Sequence, residues 1–180
     1  MGGRLEHLGR SPARRSALLS AALALCLGGC LVSEAPLILA GEAAYPLADK
    51  VNAERLRPEG GKWEHDSNES AYRSGAAYVM VHEDRTESEL LLKRIAQNTF
   101  VAQTKSDQGG YMYGLLTFEG STIYEYDLDC EDFDAAERGR YGLVAKEGDD
   151  CVVTSIQGLA TGYLAKLQAG RKPSGAYVLR

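Results

Sequence analysis

Between residues 51 and 127 the chain repeats one pattern, a short run of alternating apolar and polar residues closed by turn formers. Side chains on a strand alternate between faces with period two, so such runs fit half-buried strands and fit helices badly. Residues 51–57 end on Pro58-Glu59-Gly60-Gly61, a turn by composition. A strand around Trp63 follows over 62–65, and the polar stretch 65–74 reads as a loop. Residues 76–83 put Ala77, Val79 and Val81 on one face, with Tyr78, Met80 and His82 on the other. Segments 89–96 and 99–105 flank Gln97-Asn98, a tight hairpin turn that sets Ile95 against Phe100. The clearest hairpin joins 111–118 to 121–126 through Glu119-Gly120. In that register Leu115 faces Tyr124, Thr117 faces Thr122 and Tyr113 faces Tyr126, while Leu116 and Ile123 share the opposite face.

After Asp127 the period changes. Residues 131–138 suit a short helix, Cys151–Val153 a brief strand, and 176–179 a last strand. Ile156, Leu159, Ala160, Tyr163, Leu164 and Leu167 recur at helical spacing behind a Thr154 or Ser155 cap. Gly170 ends that helix and Pro173 prevents its resumption. Gly158 and Gly162 each cost about 1 kcal/mol relative to Ala, and their spacing of four invites a close approach by the sheet backbone. The expected fold is mainly β (α+β): an antiparallel β-meander or partial barrel with a C-terminal amphipathic helix packed on it. A helix in the concave face points Ile156, Leu159, Leu164 and Leu167 into the sheet and Gln157, Lys166 and Gln168 into water. It leaves little room for a buried ligand.

The amino terminus has a different character. Arg4, Arg10, Arg14 and Arg15 stand against one acid, Glu6, and an apolar run over 17–29 is broken only by Ser20. That run is too short for a hydrocarbon core of roughly 30 Å, which needs about 20 helical residues. A basic segment, a short apolar run and small residues at its end are the layout of a secretory signal. The run closes on Leu27-Gly28-Gly29-Cys30, which resembles the lipobox of bacterial lipoproteins. In layout the remainder resembles small β-rich lipoproteins of proteobacteria that have no assigned activity. The likeness rests on the strand meander, on Gly110-Tyr111-Met112-Tyr113 with Ile123-Tyr124-Glu125-Tyr126-Asp127, and on a Cys pair before a helix.

The resemblance implies a signal peptide over 1–29, lipid (palmitate among its chains) on Cys30, a tether over 30–50 and a single β-rich domain over 51–180. Two or three acyl chains anchor stably where one binds marginally. Leu31, rather than aspartate, after the lipidated cysteine favours the periplasmic face of the outer membrane over the inner membrane. Within the tether Pro36 and Pro46 oppose helix, and Leu37-Ile38-Leu39 is apolar enough to dock on the domain.

The leader holds four of the 20 basic and one of the 25 acidic residues, so the chain from Cys30 carries 16 against 24, a net charge of −8. A surface that acidic repels phosphate backbones and argues against nucleic acid as a partner. With Cys30 lipidated, Cys130 and Cys151 are the remaining pair, and in an oxidising compartment they read as a disulfide.

Motifs of chemistry are sparse. Counted from Asp127, an EF-hand loop has Asp132 where glycine is needed and Arg138 where a bidentate glutamate is needed, so the acidic run reads as a solvated bend. His65 and His82 have no metal-ligand spacing, and neither G-x-S-x-G nor H-E-x-x-H occurs. The reading is no enzyme, no metal and no cofactor. Tyr111, Tyr113, Tyr124 and Tyr126 fall on one face of one hairpin. Cross-strand aromatic pairing suffices to explain them, and the same rings form a candidate surface for a glycan or peptide. The leading functional expectation is a lipid-anchored accessory or interaction protein of the cell envelope, with the membrane and another envelope protein or a glycan as partners. Two alternatives stand beside it. One is a periplasmic inhibitor similar in size, anchor and disulfide to the lipoproteins that inhibit lysozyme, although no inhibitory motif matches. The other is a lipocalin-like carrier of a small apolar ligand, which requires a hollow barrel.

Overall fold

The computed structural model describes residues 30–107, 109–146 and 149–180; the expected leader, including Leu27-Gly28-Gly29, lies outside the described residues. Seven strands follow one another as a meander: β2 (Lys50–Glu59), β3 (Lys62–Ser74), β4 (Ala77–Val81), β5 (Glu87–Ala96), β6 (Thr99–Lys105), β7 (Tyr111–Glu119) and β8 (Thr122–Tyr126). The last strand, β11 (Gly175–Leu179), pairs antiparallel with both β8 and β2, and this closes an eight-stranded antiparallel barrel. Three short strands branch from it. β1 (Leu31–Ser33) pairs with the start of β7 and runs parallel to β10 (Cys151–Val153), which in turn pairs with β9 (Leu143–Ala145).

The expected loop at 65–74 is strand, because β3 runs unbroken through it. Its polar residues have a barrel-specific reason. Asn68 and Tyr72 are exposed on the outer face, and the inward positions include Ser67 and Glu69, so neither face shows a clean apolar period. The β7–β8 hairpin turns at Gly120-Ser121, pairing Leu115 with Tyr126 and Thr117 with Tyr124. This register differs by two residues from the expected one, so each side chain keeps its face and changes only its partner. At the β5–β6 turn Arg94 pairs with Phe100 and Ala96 with Thr99; Ile95 is the bulged residue.

Helix α1 spans Ala135–Tyr141, later than the expected 131–138, because Asp134 is its cap. The Asp134 carboxylate accepts from Glu137 N (2.8 Å) and the Glu137 carboxylate from Asp134 N (2.9 Å), a reciprocal capping box. Helix α2 spans Ile156–Gln168, and Ser155 rather than Thr154 caps it, its hydroxyl accepting from Gly158 N at 3.1 Å. Gly170, at φ +84°, sits just past its end. Gly170 N donates to Leu167 O and Arg171 N to Lys166 O, the paired bonds of a Schellman terminus.

Helix α2 lies on the outer wall of the barrel, not in its concave face. Leu159 and Tyr163 pack with Val101, Tyr113, Leu115 and Tyr126, the outward-facing apolar residues of β6–β8. Tyr163, wholly buried, donates its hydroxyl to the Tyr113 carbonyl at 3.1 Å. Leu164 is only half-buried and lies outside this cluster. Lys166, expected to face water, donates to the Glu137 carboxylate at 2.7 Å and sits 4.9 Å from the centre of the Phe133 ring. Gly158 and Gly162 allow close approach, but by α1 and not by the sheet. A Cβ on Gly158 would stand 2.3 Å from the Tyr141 carbonyl oxygen, and one on Gly162 would stand 2.9 Å from the Tyr141 ring.

The segment expected as a tether is packed from its first residues. Leu31 and Ile38 are buried in the outer cluster, while Leu39 is exposed. Gln103, itself buried on β6, latches this arm: its carbonyl accepts from Leu37 N and Ile38 N at 2.8 Å, and its amide donates to Ile38 O at 3.2 Å. The Cys130–Cys151 disulfide is present, with Cα atoms 5.2 Å apart.

Candidate functional site

Closing the sheet turns one face of every strand inward. An eight-stranded barrel has an interior just wide enough to be filled by side chains or to hold one small ligand. Here it encloses a cavity of about 850 Å³. One end is a floor. Tyr78, Leu90, Leu92, Phe100 and Ala102 form an inner apolar cluster, with Ala44, Leu47, Leu116 and Phe118 packed against it. The amino-terminal arm seals this end: Ala44 N donates to Leu92 O (2.7 Å), Leu47 N to the Tyr78 hydroxyl (3.1 Å), and that hydroxyl to Leu47 O (2.8 Å). At the other end the lining reaches Asp107, Asp127 and Asp129, on the loops after β6 and β8, together with Cys30.

Between floor and mouth Val51, Met80, Met112 and Leu116 face inward, yet each is only partly buried. Filled barrels bury such residues completely. Gly114 on β7 shows the same space directly, since its neighbour across the barrel wall is Ala102 and a Cβ built on it meets nothing within 4 Å.

One stretch of wall is polar. Arg55, on β2, reaches Glu125 of β8, Nη2 to Oε2 at 2.9 Å, and lies 3.7 Å from Asp66. Arg57 holds Asp66 at 2.8 Å, and the Tyr177 hydroxyl of β11 donates to Glu125 Oε2 at 3.4 Å. Gly175 gives that carboxylate its room, because a Cβ there would lie 2.9 Å from Oε2. Burial opposes the Arg55 charge, but Glu125, Tyr177 and Asp66 outweigh it and hold the guanidinium protonated. Burial pushes the Glu125 carboxyl above its ordinary range, against the pull of Arg55. Burial, then the neighbouring Glu125 charge, also raises the Tyr177 hydroxyl.

On the adjoining strands Glu69, 8% exposed, takes a bond from Ser67 Oγ on Oε1 at 2.9 Å. His82 Nδ1 stands 2.8 Å from Oε2, at ion-pair distance but off the line of a ring hydrogen bond. His82 Nε2 is 3.0 Å from Ser88 Oγ. Carboxylate, imidazole and hydroxyl thus follow one another from β3, the end of β4 and β5, and with Glu69 misaligned we read Glu69 and His82 as part of the polar lining.

The tyrosines expected as a candidate binding surface share one face, as their spacing requires, but that face is the covered outer wall. Tyr113 and Tyr126 are 6% and 9% exposed, and Tyr111 and Tyr124 pack against the same cluster. Tyr113 shares a 2.6 Å hydrogen bond with Ser33 Oγ, so it pins the amino-terminal arm. The acidic bend is likewise engaged internally: Asp129 Oδ1 accepts from Glu131 N and Asp132 N, and Arg171 pairs with Asp132. Of the residues singled out from sequence, Met80 and His82 do line the cavity, and Tyr78 is buried in the inner apolar cluster at its floor.

Sequence reasoning missed Arg55, Glu69, Glu125 and Tyr177. The available signal was charge at the inward positions of an alternating run, Val51, Ala53, Arg55 and Arg57. Comparison with protein-family models, with curated proteins and with solved structures gives no match.

Proposed function

We propose that this protein is a lipid-anchored carrier, or binding protein, for one small and largely apolar molecule held inside the barrel. The observation that carries the reading is the cavity of about 850 Å³, floored by aliphatic and aromatic side chains and lined above by part-buried apolar ones. Ligand sites are typically concave, of roughly 300–1,000 Å³, mostly apolar, with a few placed polar groups. The outer position of α2 supports the same reading, because it leaves the interior free. The accessory-protein reading has less support from its surface candidate, since Tyr113 and Tyr126 are buried and Tyr111 and Tyr124 partly so.

The test uses residues 30–180, which contain every described strand and helix, with Cys30→Ser. An apolar fluorophore such as N-phenyl-1-naphthylamine should bind one per chain. Gly114→Phe should fill the cavity from a position that touches nothing, and a strand interior favours Phe over Gly. The variant should therefore keep its unfolding temperature and weaken the fluorophore by at least about tenfold, a change of 1.4 kcal/mol. Undiminished binding in Gly114→Phe would sink the reading.

Anchoring is part of the proposal and has its own support. Cys30 lies at the mouth end, its backbone N donating to Asp150 at 2.8 Å, and the chain enters β1 at the next residue. With lipid on Cys30 the bilayer surface sits beside the cavity mouth, where an apolar ligand can pass without crossing much water. Full-length Cys30→Ser expressed in a bacterium should stay unlipidated, either retained as the precursor or released from the membrane fraction as soluble protein. A mature-sized variant still bound to membranes would refute the anchor while leaving the cavity reading intact.

A further inference from the structure

We infer that the ligand carries an uncharged, hydroxyl-bearing head on its apolar body, of the long-chain alcohol or monoacylglycerol class, with the hydroxyl between Arg55 Nε and Glu69 Oε2. The inference rests on the carrier reading and assigns the chemistry of its polar end.

Among the described residues two buried side-chain atoms make no hydrogen bond, and they are these two. Buried polar atoms are nearly always satisfied, so each exception calls for an explanation. Both residues line the same cavity. Both also point inward from neighbouring strands: Ala53 pairs with Glu69 and Arg55 with Ser67, so Arg55 and Glu69 are diagonal neighbours on the inner face. Arg55 Nε is a donor without an acceptor. Glu69 Oε2 is an acceptor whose nearest nitrogen, His82 Nδ1, approaches out of line. One hydroxyl supplies what both lack, since it accepts through oxygen and donates its hydrogen.

Charge excludes the commoner lipid heads. The remaining nitrogens of Arg55 are already engaged by Glu125 and Asp66, and Asp66 also holds Arg57. Two arginines therefore face three acids, Asp66, Glu69 and Glu125, with His82 beside Glu69. A carboxylate or phosphate head would be placed against Glu69 and Glu125, where like charges repel. A quaternary ammonium head has no hydrogen to give Glu69 and would crowd the Arg55 guanidinium. The floor of Leu90, Leu92, Leu116 and Phe118 takes the apolar chain, since it forms the closed end of the same cavity.

The test is displacement of N-phenyl-1-naphthylamine from residues 30–180 carrying Cys30→Ser, using four competitors with the same twelve-carbon chain. These are 1-monolauroylglycerol, methyl laurate, laurate and dodecyltrimethylammonium. The expected order has 1-monolauroylglycerol at least about tenfold tighter than methyl laurate, which lacks a hydroxyl, with both charged competitors weaker still. Glu69→Gln, which keeps the size and removes the charge, and Arg55→Lys, which keeps the charge and removes Nε, should each erase most of the preference for 1-monolauroylglycerol over methyl laurate, read as the ratio of the two affinities within each variant. Equal affinity of 1-monolauroylglycerol and methyl laurate overturns the inference, as does tighter binding of laurate or an unaltered preference in both variants. Fluorophore binding that persists through those results leaves the carrier reading standing. Absence of any fluorophore binding removes both.

Discussion

Tyr163→Ala is expected to destabilise the protein by about 3–5 kcal/mol, the range for emptying a buried aromatic position. The side chain is wholly buried between α2 and the outer faces of β6–β8, and its hydroxyl closes the bond to the Tyr113 carbonyl. Burial also pushes that hydroxyl above its ordinary range, as do the Asp127 and Tyr113 groups, so it stays a neutral donor. Tyr163→Phe should separate the two contributions, costing about 1 kcal/mol for the lost hydrogen bond while keeping the ring. Leu164→Ala, one residue on but half-buried outside the cluster, should cost clearly less than Tyr163→Ala. Urea unfolding of the three variants measures this directly. Equal losses at 163 and 164 would mean that the helix presents another face to the barrel.

Removing the disulfide, by Cys130→Ala with Cys151→Ala or by reduction, should cost about 3 kcal/mol. The bond closes a separation of 21 residues that holds α1 and β9, so its loss frees the unfolded chain considerably. Both cysteines are buried in the outer cluster, and alanine there also loses some packing. The urea midpoint should fall, and the slope should rise slightly as the unlinked unfolded chain exposes more surface. The bond lies outside the barrel, so fluorophore binding by the folded fraction should survive its removal. An unchanged midpoint after verified reduction would show that the cross-link restrains nothing in the unfolded state.

Local chemistry was legible from the residues alone. Alternation located most strands, Gln97-Asn98 and the Gly60-Gly61 pair marked turns, and the Thr154-Ser155 pair with Gly170 bounded α2 to within a residue. The disulfide followed from there being one remaining pair. Each of these depends on a few neighbouring residues, or on a count, and needs no knowledge of distant contacts. The misplaced α1 shows where local reading weakens: two acids, Glu131 and Asp134, could both begin a helix, and only Asp134 has a glutamate three residues on to complete the capping box.

What the alternation could not decide is which face becomes the inside. Period two divides β7 into Tyr113 and Leu115 on one face and Met112, Gly114 and Leu116 on the other, and both sets contain apolar residues. In an open sheet the larger, more aromatic set would be the core and would receive the helix in its concave face. Closure of β11 onto β2 reverses the assignment: the aromatic set becomes an outer wall that α2 and the amino-terminal arm must cover, and the smaller residues surround a cavity. That closure depends on a pairing between residues more than a hundred positions apart, for which no local signal exists. The polar wall has the same origin. Arg55, Glu69, Glu125 and Tyr177 belong to four strands, each with a charge or hydroxyl at an inward position that looks like a fault in its own pattern, and only the closed barrel sets them side by side.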